Sequence, residues 1–207
     1  MSGYCVLVTG ATGAIGSEVV KLLRAKGCTV EALGREIDMT RPEAAKEASD
    51  FVKSAYDGVS GFIHLAGFDA PAPLGLVDSL VATDLYRIYA LFPMLFLGWM
   101  AKKANHAPGA AAVLVSSAAA HAPSPGHAAY AAAKGALEAM AQAAAEELDQ
   151  KGVRLSVVTL GPVDSKMTRG WLDKTPPEKR PPLASPQSAA AKIVEAFEKG
   201  GMVWKIG

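Results

Sequence analysis

Short apolar runs alternate along this chain with longer stretches of helical periodicity. Tyr4 to Val8 is the first run, and its valines and leucine fit a strand buried on both faces of a parallel sheet. From about Ile15 to Lys26, Val19, Val20, Leu22 and Leu23 fall on one helical side, and Gly27 stops the helix. Thr29 to Leu33 reads as the second strand, and Ile37 to Thr40 as a very short edge strand. Pro42 to Tyr56 reads as a helix with Thr40 as its N-cap and Pro42 in its first turn. Gly58 to Leu65, Ala111 to Val115, Val153 to Thr159 and Met202 to Ile206 complete seven expected strands. Asp78 to Lys103 predicts one buried apolar helix bent near Pro93. His127 to Gln150 predicts an alanine-rich helix, and Pro186 to Lys199 a last one. Asn105 to Gly109 is expected to be a loop. The alternation predicts an α/β fold: a doubly wound, mostly parallel sheet with helices on both faces. Such sheets bind ligands at the carboxyl ends of their strands.

The 207 residues fit a single domain. A net charge of +1 gives no reason to expect nucleic acid or an anionic membrane as a partner. Cys5 and Cys28 are expected to be reduced core thiols of a cytoplasmic protein. No metal-ligand spacing links the cysteines and histidines, so no metal is expected. The run Ile88 to Ala101 is short for a membrane span and contains Pro93, which favours a buried helix.

Between the first strand and helix lies Thr9-Gly10-Ala11-Thr12-Gly13-Ala14-Ile15-Gly16. Strand, glycine-rich turn and helix together open a dinucleotide-binding unit. Its glycines admit a pyrophosphate to the backbone, and the helix offers free N–H groups and a positive dipole end. Gly10, Thr12, Gly13, Ala14, Ile15 and Gly16 are therefore candidate cofactor contacts. The second strand ends at Gly34-Arg35, where an acidic residue would select NAD; arginine suits the 2′-phosphate of NADP. Glu36 next door could still bind a ribose hydroxyl. Asp38 and Met39 are expected near the adenine. Ala66 and Gly67 are small enough for a cofactor to lie against the backbone at this strand's end, and Leu65, Ala66 and Gly67 are candidate cofactor contacts. His64 is either a ligand, a base or a histidine packed beside the cofactor.

Tyr130 and Lys134 stand one helical turn apart and project from the same face. A cation beside a phenol favours the phenolate, so a lowered tyrosine pKa and proton transfer near neutral pH are expected. Ser116-Ser117 closes a strand just upstream. Residues 164–186 carry five prolines and several basic residues with little periodicity, and read as a substrate loop or a solvated connector. Phe68, Ala118, Met167 and Trp171 are candidate substrate contacts, while Lys166, Arg169 and Lys174 read as solvated.

Thr9 to Gly16, Ser117, and Tyr130 with Lys134, in that order, resemble the short-chain dehydrogenase/reductase family over nearly the whole chain. Ser117 precedes Tyr130 by 13 residues, as in the family's short branch. The resemblance implies a Rossmann fold and a nicotinamide cofactor, with NADP favoured over NAD by Arg35. It makes Tyr130 the acid/base, has Lys134 tune it and bind ribose, and puts Ser117 on the carbonyl oxygen. Gly161, Pro162, Val163 and Ser165 match the segment that contacts the nicotinamide carboxamide, although Leu160 stands where proline is usual. Two features depart from the short branch. His64 to Gly67 looks more like the extended branch of epimerases and dehydratases. The helix asparagine that holds a proton-relay water is missing, with Asp84 near its expected position. The implied activity is a carbonyl reductase or alcohol dehydrogenase acting on a small ketone or alcohol. A low-turnover dinucleotide sensor or partner subunit, or an epimerase-like enzyme, stands as the alternative. The family also implies a homodimer or homotetramer.

Overall fold

The computed structural model describes residues 3–173 and 175–200 and the strand Trp204–Lys205. Lys174, Met202, Val203 and Ile206, which carry expectations above, lie outside the described residues.

Strands β1 (Tyr4–Thr9), β2 (Val30–Leu33), β3 (Gly58–His64), β4 (His106–Ser117), β5 (Arg154–Leu160) and β6 (Trp204–Lys205) form one parallel sheet in the order β2-β1-β3-β4-β5-β6. The order reverses between β1 and β3. There the first loops leave the sheet in opposite directions and open a crevice.

Seven strands were expected, and the described residues contain six. The missing one is Ile37 to Thr40, which forms a turn. Asp38 Oδ1 accepts from Thr40 N at 3.0 Å and Thr40 Oγ1 at 2.7 Å, so local side-chain bonding replaces ladder bonding. Thr40 is thereby used up and caps nothing. Helix α2 (Ala44–Ala55) starts later than predicted, with Pro42 in the turn before it. The expected loop 105–109 is also corrected. β4 begins at His106, which pairs with Val59, and the pairing resumes at Ala111 with Gly61 across a register shift.

Alternation along the strands builds two cores. Cys5, Leu7, Phe62, Ala112 and Leu114 face one side, under α2, under α3 (Ser79–Tyr86) and α4 (Phe92–Met100), and under α5 (Ala128–Asp149). Val6, Val8, Ile63, Val113 and Val158 face the other, under α1 (Ala14–Ala25) and α7 (Pro186–Lys199). Phe62 and Phe96 are fully buried with ring centroids 4.6 Å apart. Burying each such ring contributes on the order of 2–3 kcal/mol. Cys5 is buried, and burial pushes its thiol up to about 12. Cys28 is only half-buried and lies before β2 rather than in it, and both thiols are free.

Between α3 and α4 the chain runs on through a π turn, Arg87–Leu91. Pro93 has no N–H to donate, so an α-helical ladder cannot pass it unbroken. Phe92 N donates instead to Arg87 O, five residues back. The predicted bend near Pro93 is therefore a wide turn just before it. Ser79–Met100 is long and apolar enough to cross a membrane by length and composition. In this fold its Leu85, Tyr89, Phe92, Phe96 and Met100 are buried in the core beneath it. Residues 164–186, read as aperiodic, contain the helix α6 (Lys166–Leu172), capped by Ser165 Oγ accepting from Thr168 N at 3.2 Å.

Candidate active site

The carboxyl ends of β1 to β5 surround one cleft of about 1840 Å³. That exceeds the usual space for a single small ligand and suits a dinucleotide with a second molecule. Every predicted site residue except Gly16 lines it.

The glycine turn is shaped by close approaches. Gly10 has φ +66°, and a Cβ there would stand 2.7 Å from Ala66 N. A Cβ on Gly16 would stand 2.1 Å from Gly10 O, so Gly16 lets the turn close on α1 from a position behind the cleft lining. Gly13 is the N-cap of α1 with no side-chain cap and no acidic residue in the first turn. A turn that leaves the helix N-terminus bare, with no side chain over it, fits a pyrophosphate.

Arg35 lies exposed at the rim of the same cleft. Glu36 has turned back, and its Oε2 accepts from Gly34 N at 2.6 Å. Asp38 is held by Thr40, whose hydrogen bonds keep its carboxyl below the usual range. Met39 is buried at the cleft wall.

Ser117 ends β4 and Tyr130 and Lys134 lie on the first turns of α5, so the sheet and one helix bring the three together. Lys134 Nζ donates to Val115 O at 2.7 Å and is buried. Burial draws its ammonium down to about 7, partly opposed by Glu138 one turn on. Glu138 is itself buried and accepts from Thr159 Oγ1 at 3.0 Å. Tyr130 departs from expectation: burial raises its pKa, and the side-chain hydrogen bond with Ser117 only moderates the rise. Desolvation of a nearly enclosed phenol is the largest cause, and the charge of Asp69 adds to it.

Tyr89 is the residue the sequence did not flag. It projects from the π turn and is 2 % exposed. Lys134 Nζ stands 3.8 Å from its ring centroid, and its ring meets Tyr130 edge-on at 5.5 Å. Its hydroxyl donates to Phe68 O at 2.7 Å. A Cβ on Gly67 would lie 2.1 Å from this ring, so Gly67 is what admits it. Asp84, taken as nearest the missing asparagine, pairs instead with Arg87 at the surface. Tyr89 was legible only as another aromatic in an apolar run.

His64 is neither ligand nor base. It is buried, with Nε2 donating to Ile88 O at 2.8 Å, a carbonyl of the π turn. Nδ1 accepts from Thr9 Oγ1 at 2.8 Å. Thr9 Oγ1 in turn accepts from Leu65 N at 3.2 Å and Ala66 N at 3.3 Å. His64 thus ties the two cofactor-side loops to the helix carrying Tyr89. Burial, then the charge of Lys134, lowers its pKa to about 3. The unfolded chain protonates near pH 6.5 and the fold does not, so acid favours unfolding between those values. From pH 7.5 to 5.5 the His64 contribution to stability is expected to fall by about 1.4 kcal/mol. Urea unfolding of wild type and His64→Gln at both pH values isolates it; identical pH slopes would contradict this assignment.

Gly161, Pro162, Val163 and Ser165 follow β5 along the cleft floor, with Asp164 N donating to Ala184 O at 2.9 Å. Met167 and Trp171 of α6 and Phe68 and Ala118 of the opposite loops form the remaining wall. Of the basic residues read as solvated, Lys166 lines the cleft while Arg169 forms a two-pronged pair with Asp164 at 2.7 and 2.8 Å.

This fold has known counterparts. The family model for Enoyl-(Acyl carrier protein) reductase matches residues 1–199. The chain belongs to the short-chain dehydrogenase/reductase family. It is 28 % identical to the uncharacterized oxidoreductase YbbO of Escherichia coli over 93 % of this chain and 80 % of that one. Its fold matches a short chain dehydrogenase family protein from Francisella tularensis with TM-score 0.85 at 20 % identity, covering 99 % and 97 % of the two chains. A short chain dehydrogenase from Burkholderia cenocepacia, solved in complex with NADP, matches with TM-score 0.81 at 25 % identity, covering 100 % and 89 %.

Proposed function

We propose that this protein is an NADPH-dependent carbonyl reductase that can run in reverse as an alcohol dehydrogenase. The observation carrying this reading is the meeting of Ser117, Tyr130 and Lys134 in the cleft that also holds the bare glycine turn. A relative named as an oxidoreductase and a neighbour complexed with NADP support it.

When bound, the nicotinamide supplies or accepts the hydride. In this reading Ser117 Oγ donates to the carbonyl oxygen and fixes it beside Tyr130. Tyr130 gives that oxygen its proton, and at neutral pH the buried phenol is in the protonated form this step needs. Lys134 stabilises the phenolate left behind and binds the nicotinamide ribose. Tyr89 packs against the Lys134 ammonium, with Nζ 3.8 Å from its ring centroid. The missing helix asparagine favours the second reading, a dinucleotide-binding subunit of low turnover. NADPH consumption against pooled ketones and aldehydes separates the two. Steady turnover supports the reductase; NADPH binding without turnover on any pool supports the subunit.

The NADP preference rests on Arg35, with Glu36 committed to Gly34. Arg35→Ala is expected to weaken NADPH binding by about tenfold or more, the worth of a charge-assisted pair, with little change for NADH. Equal losses for the two, measured by fluorescence titration, would contradict it.

A further inference from the structure

Beyond the three residues just assigned, the cleft holds a second polar group with no role in that reading. Asp69, in the loop after β3, faces His127, the residue that caps α5 one turn before Tyr130. Asp69 Oδ2 and His127 Nε2 are 3.2 Å apart, and the side chains are 8 % and 17 % exposed. Both residues line the cleft. Their loops are laced together by Ala72 N donating to Gly126 O at 2.8 Å. The Trp171 ring of α6 meets His127 edge-on at 6.1 Å, which closes the far side.

The pair is incomplete. Asp69 Oδ1 and His127 Nδ1 are buried and have no hydrogen-bond partner. Buried polar atoms are nearly always paired, because an unpaired one has lost water for nothing. With His127 Nε2–H donating to the carboxylate, Nδ1 of the neutral ring is an acceptor. Both orphan atoms therefore demand donors. A ketone or aldehyde oxygen only accepts and belongs with Ser117 and Tyr130. Hydroxyl groups donate. An ammonium would also donate, but Lys134, Lys166 and Lys179 line the same cleft and oppose a cation.

We infer that Asp69 and His127 form a hydroxyl-recognition subsite, so that the preferred substrate is a hydroxylated ketone or aldehyde rather than a plain one. This rests on the reductase reading for the position of the carbonyl. It adds the chemistry of the substrate's second functional group. It sets a polar contact beside the apolar wall that Phe68, Met167 and Trp171 form. A site that hydrogen-bonds a hydroxyl rejects the analogue lacking it, because its own buried groups stay unpaired.

The test uses the full-length protein saturated with NADPH. Two alcohols that cannot react with the reduced cofactor, trans-1,2-cyclohexanediol and cyclohexanol, are titrated by calorimetry. Turnover of 2-hydroxycyclohexanone and cyclohexanone is measured beside them. The diol is expected to bind at least about tenfold tighter, and the hydroxyketone to have a kcat/KM about 100-fold higher. Asp69→Asn is nearly isosteric; its amide oxygen takes the His127 proton and turns a donor toward the ligand. His127→Phe keeps the ring against Trp171 and removes the second acceptor. Either variant is expected to collapse the diol-to-alcohol ratio toward one. Equal binding of the two alcohols by wild type would mean the pair holds water only and would overturn the inference. So would a loss in Asp69→Asn that is the same for both probes, the mark of a merely structural role. Diol preference without turnover of either ketone would uphold the subsite and sink the reductase reading, so the two fail separately.

Discussion

Tyr130→Phe is expected to lower kcat by roughly 1,000-fold, the scale of a positioned general acid, while NADPH still binds. The change is confined to one oxygen. The ring keeps its edge-on contact with Tyr89, and α5 keeps its seat on the sheet. The hydroxyl lost is one that burial already disfavours as an anion, so folding is expected to change little. Single-turnover kinetics at saturating NADPH measure the chemical step, and thermal melting with and without NADPH checks fold and binding. Unchanged kcat would remove Tyr130 from the mechanism. Lost binding together with a lower melting point would make its role structural.

Gly10→Ala is expected to be strongly damaging for a single added methyl group. Its backbone is left-handed, which costs a residue with a Cβ about 1–2 kcal/mol. The added carbon also stands 2.7 Å from Ala66 N and 2.8 Å from Leu65 C, and neither backbone atom can move aside. Together these are expected to destabilise the fold by about 2–4 kcal/mol. Shifting the turn by an ångström is expected to cost cofactor-dependent activity on the order of 100-fold. Gly27→Ala is the control. Gly27 has φ +82° but open space around its would-be Cβ, so it reports the backbone cost alone. If chemical unfolding gave the same loss for both variants, the close approach of Gly10 to β3's loop would not matter.

The parts of this protein set by local pattern were legible from residues alone. Apolar runs gave β1, β2, β3 and β5 nearly to the residue, and only the middle of β4. Proline at the start and glycine at the end gave α7, Pro186–Lys199, without error. The glycine turn and the Tyr130–Lys134 spacing were legible because each is a constraint within a few neighbouring residues. The features that failed are those decided by distant partners. Ile37 to Thr40 has the composition of a strand, but Asp38 bonding to Thr40 ends any extended run. Tyr89 reads as core because nothing near it in sequence reveals Lys134 lying over its ring. His64 stays open between ligand, base and packed histidine until Ile88 O and Thr9 Oγ1, on distant segments, occupy both of its nitrogens and make it a packed one. The lowered pKa expected of Tyr130 failed for the same reason. Spacing places the cation, but only the packed structure reveals how far burial raises the phenol and lowers the lysine. Asp69 and His127 lie on separate loops and carry no shared motif, so their pairing was invisible before folding.

The most direct test of the central claim follows the hydride itself. NADPH deuterated at nicotinamide C4 would be incubated with the protein and a pool of hydroxyketones and hydroxyaldehydes, and the products read by mass spectrometry and NMR. The account predicts one deuterium per turnover on the carbinol carbon from one face of the nicotinamide, and labelled product formed about 1,000-fold more slowly by Tyr130→Phe. Bound NADPH with no deuterium in any product, or equal transfer by Tyr130→Phe, would contradict it.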